Sequence, residues 1–292
     1  MKKALFVVLW VCVGLTAMAQ ITLNFNPEKG SKYEYQMEMI QKISQDIMGQ
    51  KMDMNQKMVL TYDMDIIAKS ATESTIEFMY KDVVYNLGSA MINASYDSKS
   101  TTPPSGNVNE MMAKIFSCLL NKKFTLVLTA DGSVKSVEGM QAIIDDMMKA
   151  MGNDMAAQQM GQQMSQQFGD EAMKASFEQA FKIYPGKAIK AGDSWTIAQQ
   201  IGTGGMDMNL NTTYTLKSTN GNIAPADVKS TINGLNGQLT GTQEGSIEFD
   251  IKSGLPMTSK MVQKVGGKVS ANGMEIPMDI TSNINIYVKK VK

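Results

Sequence analysis

The chain contains no histidine and no arginine. Without histidine the usual general base near neutral pH is missing, and neither a Ser-His-Asp nor a Cys-His arrangement can be built. Without arginine there is no planar fork to grip a phosphate or a base edge in two places. The 28 basic residues are balanced by 28 acidic ones, so no excess positive charge draws the chain to a polyanion. An enzyme and a nucleic-acid partner are both poor fits. Cysteine is nearly absent too. Cys12 follows Val11 rather than a small residue, which argues against lipidation, and Cys118 lies in the apolar run Ile115–Leu120. There it reads as a small packed hydrophobe with no partner for an intramolecular disulfide.

Long apolar runs are scarce as well. The one that occurs, Ala4–Leu15, is preceded by Lys2 and Lys3 and followed by Ala17-Met18-Ala19. A basic start, a short apolar stretch and a small-residue site make a cleavable export signal, and the run is too short to span a bilayer as a helix. Residues 1–19 are therefore expected to be removed near Ala19-Gln20. The expected product is a soluble periplasmic or secreted domain, 20–292, with no integral membrane span.

Methionine is what the sequence has in excess: 27 residues, although it is not among the commonest amino acids. Its placement is patterned. In Lys51–Ile67, every second residue gives Met52, Met54, Gln56, Met58, Leu60, Tyr62, Met64 and Ile66, while the residues between are mostly charged or polar. A strand sends successive side chains to opposite faces, so this is a long strand with one apolar and one wet side. Tyr33, Tyr35, Met37 and Met39 begin the same alternation one hairpin earlier, and Met274, Ile276, Met278, Ile280, Ile284, Ile286 and Val288 repeat it at the other end, interrupted by Ser282. Pro277 cannot donate to a ladder and predicts an edge or a bulge at that point.

Between these ends the pattern changes period. Ser98 to Asn107 has no periodicity and reads as an exposed loop, with a short helix to follow over 109–120. Phe124–Leu128, a turn at Asp131-Gly132 and Val134–Val137 form a hairpin. Met140, Ile143, Ile144, Met147 and Met151 fall at helical spacing, and Asp170 stands where an N-cap would open a further helix ended by Pro185-Gly186. From Ser194 the chain returns to strands. The two ends resemble each other as strand meanders, 20–138 and 184–292, separated by a helical insert, 139–183; chance agreement of turn-rich segments explains that likeness equally well.

The exported start, the Lys29-Gly30-Ser31-Lys32-Tyr33 opening, the Phe124–Gly132 strand and turn, and the Tyr184-Pro185 to Gly192-Asp193-Ser194-Trp195 element resemble an uncharacterised family of secreted Gram-negative bacterial proteins. That resemblance brings no active site with it. In plan, long antiparallel strands with covering helices also look like the curved half-barrel carriers of lipoproteins and lipids in the bacterial envelope, an analogy of architecture alone.

These observations predict an α+β fold. Its main element is a large curved, mainly antiparallel β-sheet, or two related sheets, with a helical insert covering one side. Two carboxylate pairs, Asp63/Asp65 and Asp145/Asp146, are candidate sites on paper, but two carboxylates make a thin calcium site, and neighbours on a helix point about 100° apart. Paired thioethers at Met37/Met39, Met52/Met54 and Met206/Met208 could suit Cu(I), but they lie within continuous apolar faces that ordinary packing explains. No cofactor and no metal is expected. The functional expectation is a non-enzymatic binding protein for an apolar ligand such as a lipid or acyl chain. Its lining would be Met37, Met39, Met52, Met54, Met58, Met64, Met206, Met208, Met274 and Met278. The alternative is an envelope structural or protein-interaction module with a dry core.

Overall fold

The computed structural model describes residues 20–47, 49–152, 155–203, 206–219, 221–234, 237–271 and 274–292. The expected export signal, 1–19, lies outside them. The first elements are β1 (Ile21–Thr22), β2 (Lys32–Ile47), β3 (Gln50–Lys69), β4 (Glu73–Ser89), β5 (Asn93–Asp97), α1 (Asn107–Ser117), β6 (Lys123–Thr129) and β7 (Val134–Glu138). The helices α2 (Met140–Met151), α3 (Met155–Phe168) and α4 (Asp170–Phe181) follow. The chain ends in β8 (Ala188–Ile189), β9 (Ser194–Thr203), β10 (Met206–Leu216), β11 (Ile223–Gly234), β12 (Leu239–Asp250), β13 (Pro256–Ala271) and β14 (Met274–Lys290).

One 12-stranded antiparallel sheet takes up nearly all the strands, in the order β7-β6-β4-β3-β2-β14-β13-β12-β11-β10-β9, with β5 added to β4. The alternative of two related sheets is thereby settled in favour of a single one. A separate two-stranded piece joins β1 to β8. The topology is a meander whose last strand returns to the first: β14 pairs β2 from Met278↔Gln45 to Lys290↔Tyr33. Following the order round, the sheet breaks only between β7 and β9. Helix α4 contacts both of those end strands, so the curved sheet brings its two ends to within one helix of each other. Gln199 of β9 donates its side-chain amide to the Glu178 carbonyl at 3.0 Å, and Trp195 Nε1 donates to the Ile183 carbonyl at 2.8 Å.

The central strands are long. β2 and β3 run 16 and 20 residues, against a usual five or six, so at about 3.4 Å per residue they reach roughly 50 to 70 Å. The alternation explains this: a one-sided apolar face can extend as long as the neighbouring strand carries a matching one, and β2 with β3 match from Lys32↔Asp65 to Ile47↔Gln50. Pro277 is accommodated as its chemistry requires. It pairs Lys268 of β13, but pairing with β2 stops one residue later at Met278, so its missing N–H faces no partner strand.

The main core occupies one end of the sheet. Tyr35, Tyr62, Phe78 and Phe124 are buried there with Leu126, Ile247 and Phe249. Phe78 stacks on Phe124 with centroids 5.2 Å apart, and Phe177 of α4 lies 5.6 Å from each. α2 adds Met140, Ile143, Ile144 and Met147, all buried, as its helical spacing predicts.

Two local expectations change. Asp170 is not the cap of α4; that position is Gly169, and Asp170 is the first helical residue. Its carboxylate instead accepts from the Met140 backbone N–H at 2.8 Å, the opening residue of α2. α2 follows Gly139, which has no side chain to cap with, so a neighbouring helix supplies the oxygen. β5 was not expected, because Asn-Ala-Ser-Tyr-Asp shows no apolar alternation; it exists by pairing with the far half of β4.

Candidate ligand-binding face

Registers between strands turn the alternation into layers on the inner face of the sheet. Closest to the core, one layer joins Tyr85, Met58, Met39, Ile284, Met261, Gly245, Val228, Tyr214 and Trp195 across β4, β3, β2, β14, β13, β12, β11, β10 and β9. Two layers out, about 14 Å further along the strands, Met54, Ile43, Ile280, Val265, Gly241, Ile232 and Leu210 lie side by side. Beyond them come Met52, Gln45, Met278, Gly267, Leu239, Gly234 and Met208.

On β3, β2, β14 and β13 this outer half of the inner face is apolar but not sealed, whereas Leu239 of β12 is buried. Met39, Met52, Met54 and Met278 are half-buried, and so are Ile43, Ile280 and Val265. Leu210 and Ile232 are buried in a small cluster of their own, with Met208 and Val265 against it, apart from the main core. The other inward methionines behave differently: Met64 is fully buried at 0 %, and Met37 and Met58 pack onto the main core. The side chains of Met206 and Met274 lie outside the described residues. The expected lining therefore divides. Met64 is core, Met37 and Met58 form its upper boundary, and Met39, Met52, Met54, Met208 and Met278 line the half-open part.

Between the near and far apolar layers runs a row that the sequence reading did not assemble. Gln56, Gln41, Ser282, Gln263, Gln243, Ser230 and Thr212 are consecutive cross-strand partners on β3, β2, β14, β13, β12, β11 and β10. Gln41 donates to Ser282 Oγ at 3.0 Å, and the Thr212 and Ser230 hydroxyls bond each other at 2.9 Å. The signal was there in fragments, as single polar residues interrupting otherwise apolar faces at Gln56 and Ser282. Only the register shows that the interruptions align.

The outer face is of opposite character. Lys57 pairs Glu38 at 3.1 Å, Lys81 pairs Glu34 at 2.7 Å, and Lys123 pairs Glu77 at 2.7 Å. Such pairs are exposed and contribute little stability, but they mark the solvent side. They also account for the first carboxylate pair. Asp63 faces Lys81 at 3.5 Å and Asp65 bonds Lys32, which holds the lysine's pKa above its ordinary value. Asp146 is paired with Lys122 at 2.7 Å, a contact that lowers its pKa, while Asp145 accepts from Gln141. Both candidate cation sites are thus ion-paired or hydrogen-bonded surface groups. Among the described residues no group of three or more His, Cys, Asp or Glu could hold a metal. Cys118 is half-buried rather than buried, with burial pushing its thiol pKa up and its Sγ 3.1 Å from the Lys114 carbonyl.

Two open hollows lie elsewhere on the surface. One of about 400 Å³ lies between α2 and α3 at Met148, Gly161 and Ser165, and one of about 330 Å³ lies on the charged face at Lys32, Asp63 and Glu77. The half-buried Met39, Met52, Met54 and Met278 line neither of them. Among the described residues no helix is long and apolar enough to cross a membrane.

Several solved structures resemble the chain in outline. A lipovitellin structure titled for lipid–protein interactions aligns at a TM-score of 0.49 and 10% identity, over 90% of this chain and 25% of that one, so the chain spans a quarter of its length. OccK5 and OccK7 of Pseudomonas aeruginosa align at 0.24, with 8% and 7% identity, over 90% and 91% of this chain and 99% and 100% of theirs. At these scores no shared fold is established. No curated protein matches the sequence. Residues 71–256, from the start of β4 through β12, match a family of unknown function, DUF6263. That segment is well over half the chain, and the protein belongs to this family.

Proposed function

We propose that the protein is an exported, non-enzymatic binding protein for an apolar ligand such as a lipid or acyl chain. One observation carries the reading. Beyond the core, the inner face of β3, β2, β14 and β13 continues as apolar layers that stay half-open to solvent, and across the seven strands from β3 to β10 those layers carry not one Lys, Asp or Glu. A soluble protein that leaves an apolar surface of this extent uncovered uses it for binding. Methionine suits the task, because an unbranched, polarizable side chain adapts to guests of varied shape. We place the helical insert at the core end, where it closes one side and leaves the far layers accessible. The charged outer face is the reverse of what a strand facing lipid requires, so the protein holds a guest rather than spanning a membrane. The leader at 1–19 would deliver it to the periplasm or beyond.

The test is binding of a fluorescent hydrocarbon polyene to delipidated protein, together with native mass spectrometry of the protein as purified. Saturable binding near one probe per chain, and lipid mass retained on the protein, are expected. The alternative, an envelope interaction module with a dry core, predicts no probe binding and only protein mass.

A further inference from the structure

We infer that the ligand is an uncharged amphiphile carrying a neutral hydrogen-bonding group, such as an ester, an amide or a hydroxyl, between apolar parts, and that the glutamine row on the inner face reads this group. The inference rests on the proposed function and specifies its guest. Three of the seven row members, Gln56, Gln243 and Gln263, are half-buried, and among the described residues their side-chain amides have no hydrogen-bond partner. The remaining four satisfy each other as Gln41 with Ser282 and Thr212 with Ser230. Three free amides thus stand at one level, with apolar layers on either side, each able to donate twice and accept.

The position of the row defines the guest's geometry. One inward residue along each strand is about 7 Å, so the neutral group would sit about 7 Å from the Met39, Met58 and Met261 layer and a similar distance from the Met54, Ile43 and Ile280 layer. Charge defines its chemistry. A carboxylate or phosphate at this level would lose hydration and meet no cation, because the lysines nearest the row, Lys42, Lys57, Lys229, Lys260 and Lys264, alternate to the other face. Amides compensate an ester carbonyl or a hydroxyl without that cost. Gln45, one layer above Ile43, is already engaged with the Met278 sulfur at 3.4 Å and does not extend the row.

A matched set of probes tests this on the full mature chain. The fluorescent fatty acid cis-parinaric acid, its methyl ester, and the hydrocarbon diphenylhexatriene are titrated into wild-type protein and into Gln263→Leu and Gln56→Leu. In the wild type the ester is expected to bind about tenfold more tightly than the ionised acid. Each variant is expected to lose most of that preference, while an unchanged far-UV circular dichroism spectrum and denaturant midpoint show that it is folded. Equal binding of ester and acid, or an ester preference unchanged in both variants, overturns the inference and leaves the binding function standing. No binding of any probe overturns the proposed function, and this inference with it.

Discussion

A Cβ placed on Gly132 would overlap the carbonyl oxygen of Phe181, the last residue of α4. Gly132 also has φ +81°, a left-handed conformation in which side chains are strained. The turn between β6 and β7 is thus pressed against the segment that leads from the helices back into the sheet. Gly254 stands in the same relation to Asn24: φ is +70° and an added Cβ would overlap the Asn24 carbonyl oxygen. Each of the two turns is pinned on the lead-in to the other half of the sheet, and the contacts are reinforced by Asn26 N–H to the Ser253 carbonyl at 2.7 Å and Tyr184 OH to the Gly254 carbonyl at 2.9 Å.

Gly132→Ala and Gly254→Ala are therefore expected to destabilise by more than the conformational cost of about 1 kcal/mol, on the order of 3 kcal/mol, because backbone must move. Gly186→Ala is the control. It has φ +65° but nothing within 4 Å, so it should cost only about 1 kcal/mol. Denaturant midpoints at constant slope measure all three; equal losses would show that φ alone matters.

Methionines of the two regions should separate in the same assay. Met64 is fully buried, so Met64→Ala is expected to cost about 2–5 kcal/mol through lost burial and the cavity left behind. Met39 and Met52 are half-open, and replacing either by Ala should cost about 1 kcal/mol or less while weakening binding of the hydrocarbon probe. A Met52→Ala variant as unstable as Met64→Ala would show the far layers to be packed core.

The fold was legible because side-chain period speaks directly of strands. Lys51–Ile67 alternates without a break, and it lies within β3. Helical spacing in Met140–Met151 was equally plain. What could not be read was relation between distant segments. Asp170 has the chemistry of a cap, but only tertiary structure decides that it caps α2 rather than α4. β5 has no pattern of its own and exists through β4. The glutamine row depends on pairing Gln41 with Ser282, 241 residues apart, and the same alternation that placed Met64 and Met52 on one face could not show that one lies in the core and the other beyond it.

Alkaline pH should unfold the protein through its buried tyrosines. Burial raises the pKa of Tyr35, Tyr62, Tyr184 and Tyr214 well above the ordinary value near 10, and pushes Tyr80 up to about 12. In every case the folded pKa exceeds the unfolded one, so the neutral phenol favours the native state. That stability is fully present below about pH 10 and is lost as pH rises towards the folded values. Tyrosinate absorbance is expected to rise for these residues in one cooperative step that coincides with loss of secondary structure. Gradual ionisation of these five tyrosines ahead of unfolding would contradict their burial.

Oxidation locates the guest without mutating anything. Methionine sulfoxide forms where peroxide reaches sulfur, so Met91, 79 % exposed at the β4–β5 turn, should react first and Met64 last. Met39, Met52, Met54 and Met278 should fall between, since their sulfurs lie on a face only half covered. An apolar ligand resting on that face excludes water and peroxide from it, whereas Met91 stays bare. Saturating probe is thus expected to slow oxidation at these four several-fold and to leave Met91 unchanged, as read by peptide mass spectrometry. Protection of Met148 instead, beside the hollow between α2 and α3, would move the binding site to the helices.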